Sequence, residues 1–132
     1  MDEKTVKMDL RRIKYGKKHI AELEASYEKQ LEYLKYLRGC RKSKEIKERI
    51  AIGEETVKVK IAEIKRKSTE IEVIEARYRS AIRSLSELDQ RILREGYIGG
   101  TPYWKIGEQL GYSERGIQER MVRIFEAIAS LI

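Results

Sequence analysis

Residues 101–120 read TPYWKIGEQLGYSERGIQER, and the punctuation of this stretch decides how the C-terminal third of the chain folds. Thr101 suits a helix N-cap and Pro102 the first helical position, so a helix is predicted to open there and run from Tyr103 to Leu110. Gly111 is predicted to end it in the left-handed conformation that a tight turn demands. Tyr112 is expected to fill the space beneath the turn, and Ser113 to cap a last helix. Ile106 and Leu110 face the core, and Gly107 between them lets a second helix approach closely. Ile117 returns that second helix to the core. Two short helices joined by a glycine-containing turn form a helix-turn-helix unit. A plain helical hairpin with a glycine turn has similar spacing, but here a cap, a glycine turn and a following apolar residue occur together.

Upstream, Ser84 and Glu87 have capping-box spacing. The helix they would open carries Leu88, Ile92 and Leu93 and is expected to stop near Gly96, before a turn at Tyr97-Ile98-Gly99-Gly100. Downstream, Ile117, Met121, Ile124, Phe125, Ile128 and Leu131 mark the apolar side of the last helix. Residues 84–132 are thus predicted to form a three-helix module.

Residues 1–83 have a different pattern. Val6, Ile13, Ile20, Tyr27 and Leu34 form a heptad series, with Leu10, Leu23, Leu31 and Leu37 in the offset row. Together they make one apolar stripe on a long helix. Gly16 interrupts it and suggests a bend; Gly39-Cys40 suits its end. Residues 41–53 read either as a short helix capped by Ser43 and ended by Gly53, or as a partly ordered loop. A second long helix is expected over residues 54–83, with a narrower seam of Val57, Ile61, Ile64, Ile71, Tyr78 and Ile82. The two stripes predict an antiparallel, coiled-coil-like hairpin; a parallel homo-oligomer would use the same stripes. The fold class expected is all-α, with residues 1–83 a helical hairpin and residues 84–132 the helix-turn-helix domain.

Charged residues make up 39% of the chain and apolar residues 41%, a balance suited to long solvated helices. Cys40 has no partner for a disulfide, and with His19 as the sole histidine no Cys/His zinc site of about four ligands can be assembled. Neither a catalytic constellation nor a phosphate loop is present, so no enzyme activity, cofactor or metal is expected. No apolar run reaches the roughly 18 residues of a membrane span. The charged start lacks a signal core, so a soluble cytoplasmic protein is expected. Net charge is +7. It is uneven: residues 1–83 hold 23 Lys/Arg against 15 Asp/Glu, and residues 84–132 hold 6 against 7.

Leu88, Arg91, Ile92, Leu93, Tyr97-Ile98-Gly99, Tyr103-Trp104-Lys105-Ile106-Gly107, Leu110-Gly111-Tyr112-Ser113 and Ile117 carry a resemblance. The segment resembles the promoter-reading region 4 of bacterial sigma factors. More closely, it is similar to the sigma-like, ArpU/RinA-type late-transcription regulators of phages of Gram-positive bacteria, which also place a long helical segment before the module. The likeness covers the last third by motif and the rest by layout. Gly107 departs from the usual Ala, Gly116 sits inside the second helix, and Arg120 occupies a position that is usually apolar, with Met121 beside it.

A recognition helix puts its N-terminal end into the major groove. Arg115 is therefore a candidate for guanine, Gln118 for adenine and Glu119 for cytosine, with Glu114 beside them. Thr101, Tyr103, Lys105, Ser113 and Arg123 are candidate phosphate contacts. Each of these is also an ordinary solvated or capping residue by position, and Trp104 reads either as packed against the hairpin or as partly exposed, its lone position favouring packing. The resemblance implies a sequence-specific transcription regulator, a phage late-gene activator in a bacterial cytoplasm. Its partners would be double-stranded DNA and RNA polymerase, with a homo-oligomer through the N-terminal helices and no membrane. The alternative is an adaptor that contacts RNA polymerase without reading DNA, which the near-neutral charge of residues 84–132 favours. A further expectation is that the hairpin sets spacing or oligomeric state while residues 84–132 stay folded without it.

Overall fold

The computed structural model describes residues 1–132 and contains helices and no strands. Five α-helices follow in order: α1 Glu3–Gly39, α2 Lys44–Arg83, α3 Glu87–Arg91, α4 Tyr103–Leu110 and α5 Glu114–Leu131. A π-helical segment, Ile92–Ile98, continues directly from α3. No helix is long and apolar enough to cross a membrane.

Local chemistry sets the ends of the long helices. The Asp2 carboxylate accepts from the Thr5 amide at 2.7 Å and so caps the start of α1. That backbone bond is the main cause holding the Asp2 carboxyl below its ordinary range. At the other end the Lys42 ammonium donates to the carbonyls of Leu37 and Arg38, which α1 leaves without helical partners. Ser43 then accepts from the Ile46 amide at 3.2 Å and opens α2.

Several expectations need correction. Residues 44–53 are neither a separate short helix nor a loop, because α2 runs unbroken through Gly53. Gly53 is buried where a Cβ would lie 2.6 Å from Leu34 Cδ2. The glycine serves close helix approach there rather than helix termination. Gly16 likewise lies buried inside a continuous α1. Ser86, not Ser84, caps α3 by accepting from the Asp89 amide at 3.1 Å. The Ser84 hydroxyl instead donates back to the Ser80 carbonyl. The expected turn at Tyr97-Ile98 is helical, since the π segment carries through to Ile98. Pro102 occupies the N-cap of α4 with no side-chain cap, so Thr101 does not cap it. Leu131 is exposed at the end of α5.

The chain forms two compact units, residues 16–70 and residues 1–15 with 71–132. In residues 16–70 the two helices pair antiparallel within one chain. The Lys60 ammonium donates to the Ser26 hydroxyl at 2.7 Å, Arg38 pairs with Glu54 at 3.3 Å, and Leu34 packs over Gly53. Leu34 and Leu37 are fully buried, whereas Ile20, Tyr27, Val57 and Ile64 are half-buried, because two helices alone cover only part of each other's stripe.

In the other unit, Val6, Leu10 and Ile13 of α1 and Ile71, Tyr78 and Ala81 of α2 join the core of the C-terminal helices. The division at residue 83 therefore does not follow the contacts. Residues 84–132 share a core with the first turns of α1 and the last turns of α2. A heptad series shows which side of a helix is apolar but not which partner covers it. Asp9 is buried on this seam and accepts a short hydrogen bond from the Tyr78 hydroxyl. Burial first, and the Asp9 carboxylate second, push the Tyr78 hydroxyl well above the ordinary tyrosine range.

Tyr78→Phe leaves the Asp9 carboxyl buried without its donor and should lower stability by about 1–3 kcal/mol in chemical denaturation. Because the folded-state value of Tyr78 is raised, its contribution is complete below the ordinary tyrosine pKa of about 10 and is lost as pH rises towards the folded value. Wild-type stability should therefore fall in alkali more steeply than that of Tyr78→Phe; parallel pH profiles would contradict this.

Candidate nucleic-acid interface

The geometry after Pro102 rests on two glycines. Gly111 has φ +78° and ψ 26°, the left-handed conformation, and the Tyr112 amide donates to the Gly107 carbonyl at 2.8 Å to close the turn. A Cβ on Gly107 would run into the carbonyl oxygen of Tyr112, which is backbone and cannot swing aside. This is why glycine and not alanine stands here. Ser113 then caps α5 by accepting from the Gly116 amide at 3.0 Å. The chain reverses into a second helix within a few residues, with Ile106 and Ile117 fully buried between the two.

Upstream, Gly96 performs a similar service. A Cβ there would lie 2.8 Å from Ile106 Cδ1 and 3.0 Å from the Tyr103 ring, so its absence lets α4 settle onto the π segment. The widened helix is closed by the Gly99 amide donating to the Arg94 carbonyl at 2.7 Å. The Tyr97 ring meets Phe125 edge-on at 5.0 Å between centroids, and its hydroxyl donates to the Lys7 carbonyl at 3.3 Å. Lys7 lies over Phe125 and Lys14 over Tyr97, at 5.4 and 5.8 Å. The first turns of α1 thus brace the module from one side.

Arg120 also has a structural reason to stand on α5. It is half-buried, pairs with Asp89 of α3 at 3.1 Å and lies 5.4 Å from the Tyr112 ring centroid. A bond to Tyr112, and then the charge of Asp89, raise the guanidinium further above its ordinary value against the opposing effect of burial. Arg120 thereby ties α3, the turn and α5 together. Tyr112 is part of that clamp while remaining exposed.

The side chains predicted to read bases all lie on the open surface of α5. Glu114, Arg115, Gln118 and Glu119 are exposed, while Ile117 between them points into the core. Arg115 is 87% exposed and pairs with Glu119 at 3.3 Å, so the acid shares the arginine that it accompanies. Of the candidate backbone contacts, Lys105 and Arg123 are exposed without partners, and the Ser113 hydroxyl is occupied by its cap bond. Thr101 and Tyr103 are half-buried. Burial, with Tyr97 beside it, raises the Tyr103 hydroxyl above its ordinary value, in keeping with a ring that packs on Gly96. Trp104, expected to pack, is instead 56% exposed on α4 next to Lys105. Its isolated position in the sequence carried no sign of this, because only the completed turn shows which side of α4 faces outward.

Gly107→Ala should destabilise the protein by about 1–3 kcal/mol, although alanine is the better helix former by about 1 kcal/mol. A lowered denaturation midpoint would show this, and a raised one would mean that the turn tolerates a Cβ.

No family model, curated protein or solved structure matches this chain.

Proposed function

We propose that the protein is a sequence-specific DNA-binding transcription regulator whose α5 enters the major groove. The observation that carries the reading is the exposure of Glu114, Arg115, Gln118 and Glu119 on the first turns of α5, directly after a glycine-closed reversal from α4. Such a pair places the second helix in the groove and lays the first across the backbone, where Lys105 would meet phosphate. The guanidinium of Arg115 fits the paired acceptors of guanine, and the amide of Gln118 fits adenine. The resemblance to sigma-like phage regulators supports activation of late phage genes in a bacterial cytoplasm as the setting.

A second reading has its own support. Trp104 is a large apolar side chain left open on α4, and residues 84–132 carry slightly more acid than base. An adaptor docking on RNA polymerase would use such a surface without reading DNA.

Selection of bound fragments from the encoding genome, followed by titration at two salt concentrations, separates the two. A DNA reader keeps a sequence preference and loses affinity steeply with salt. On the selected site, Arg115→Ala should weaken binding roughly tenfold to hundredfold and relax the preference at one base pair. Lys105→Ala should weaken selected and random duplexes alike. Equal behaviour of the two variants would undo the assignment of roles, and the absence of any preference in the wild type would favour the adaptor.

A further inference from the structure

The end of the hairpin is one of two strongly basic stretches of the chain; the other, residues 4–18, holds seven Lys/Arg and one acid, but its Lys7 and Lys14 lie over the Phe125 and Tyr97 rings. Residues 35–49 contain seven Lys/Arg and two acids, Glu45 and Glu48. Some cations elsewhere are neutralised within their own helix, as in Arg66–Glu70, Arg91–Glu95 and Arg115–Glu119. At the hairpin end three cations are engaged: Arg38 with Glu54, Arg49 with Glu45, and Lys42 with the last carbonyls of α1. Four remain. The side chains of Lys35, Arg41, Lys44 and Lys47 are exposed and make no ion pair or hydrogen bond, although Glu32 and Glu48 lie within a helical turn of Lys35 and Lys44. Tyr36, among them, is 68% exposed.

We propose that this end of the hairpin is a second nucleic-acid contact surface, which grips the phosphodiester backbone of duplex DNA through Lys35, Arg41, Lys44 and Lys47. Unpaired cations gathered at the end of α1, the connection and the start of α2 cost little to bring to phosphates, because no ion pair has to be broken first. Their binding releases condensed counterions from the duplex, and this release supplies affinity without sequence information. One exposed tyrosine is too little for a base-stacking track, which needs successive aromatic rings. The surface is therefore suited to backbone rather than to splayed single strands. The choice of duplex DNA over another polyanion rests on the reading of α5 as a DNA-recognition helix. A hairpin that supplies the backbone affinity would answer the weakness of that module, whose own charge is near neutral.

The test uses the full chain and a random-sequence duplex, titrated over a range of salt. The variant carries Lys35→Gln, Arg41→Gln, Lys44→Gln and Lys47→Gln. A control carries the same loss of charge at four other exposed lysines of the hairpin, Lys18→Gln, Lys29→Gln, Lys58→Gln and Lys65→Gln, and circular dichroism verifies that both remain folded. Each phosphate contact contributes about 0.9 to the slope of log affinity against log salt. The variant should be shallower than wild type by about one unit or more, and the control by less than half as much. A smaller change in the variant, an equal change in the control, or tighter binding of a single strand than of the duplex would overturn the proposal. Sequence preference, measured separately on the selected site, reports on α5. A variant that keeps its preference and its salt slope sinks the hairpin surface alone. A wild type without preference, but with a slope that the four substitutions flatten, sinks the recognition helix alone.

Discussion

The close approach of two backbones at Gly107 and Tyr112 is the constraint on which the C-terminal architecture depends. With no side chain at 107, the carbonyl of Tyr112 can occupy that space. Gly111, with positive φ, supplies the reversal that brings it there. Everything that distinguishes α5 as a surface element follows. Its first turn packs Ile117 against α4 and leaves Glu114 and Arg115 outward, and its later turns are held by Met121, Ile124, Phe125 and Ile128 in the core. Arg120 then fastens the outside of the same corner by bridging to Asp89 and covering the Tyr112 ring.

How much of this was legible depended on whether the signal was local. Gly111 and Ser113 act on neighbouring backbone, so their roles could be read from the residues alone. The same holds for the apolar stripe of α5, apart from Leu131, where no partner helix remains to cover the stripe. Gly53 and Gly16 are the opposite case. Each resembles a helix breaker, yet each lies buried inside a long helix, and Gly53 makes room there for Leu34. The π segment was invisible for a related reason, since its extra residue is accommodated only because Gly96 leaves room for Tyr103 and Ile106. Ser86 outcompeted Ser84 as cap because Ser84 is already engaged with the preceding turn of α2.

The candidate surface was legible as far as exposure. Glu114, Arg115, Gln118 and Glu119 lie where the turn chemistry predicts, outward and early in α5. Their pairing was not anticipated: Arg115 and Glu119 are four residues apart on one face and satisfy each other in the free protein. Trp104 and Arg120 were misjudged in opposite senses. A tryptophan was expected to be covered and is open; an arginine at an apolar position looked like an irregularity and is a clamp. Side-chain type states a preference, but the partner on the facing element decides the outcome.

The buried seam between Asp9 and Tyr78 has a kinetic side. Its two residues are separated by 69 positions, and the bond from Tyr97 to the backbone of Lys7 spans 90. During synthesis the first turns of α1 therefore emerge long before the groups that will cover Val6, Leu10 and Ile13. Residues 16–70 close shorter loops, such as the 34 positions between Ser26 and Lys60, and can form first, whereas the other unit must wait for loop closure over most of the chain. In the interval those first turns hold an apolar stripe open to water. The ribosome would release a hairpin already zipped at its turn, with its base still seeking the helices that complete it.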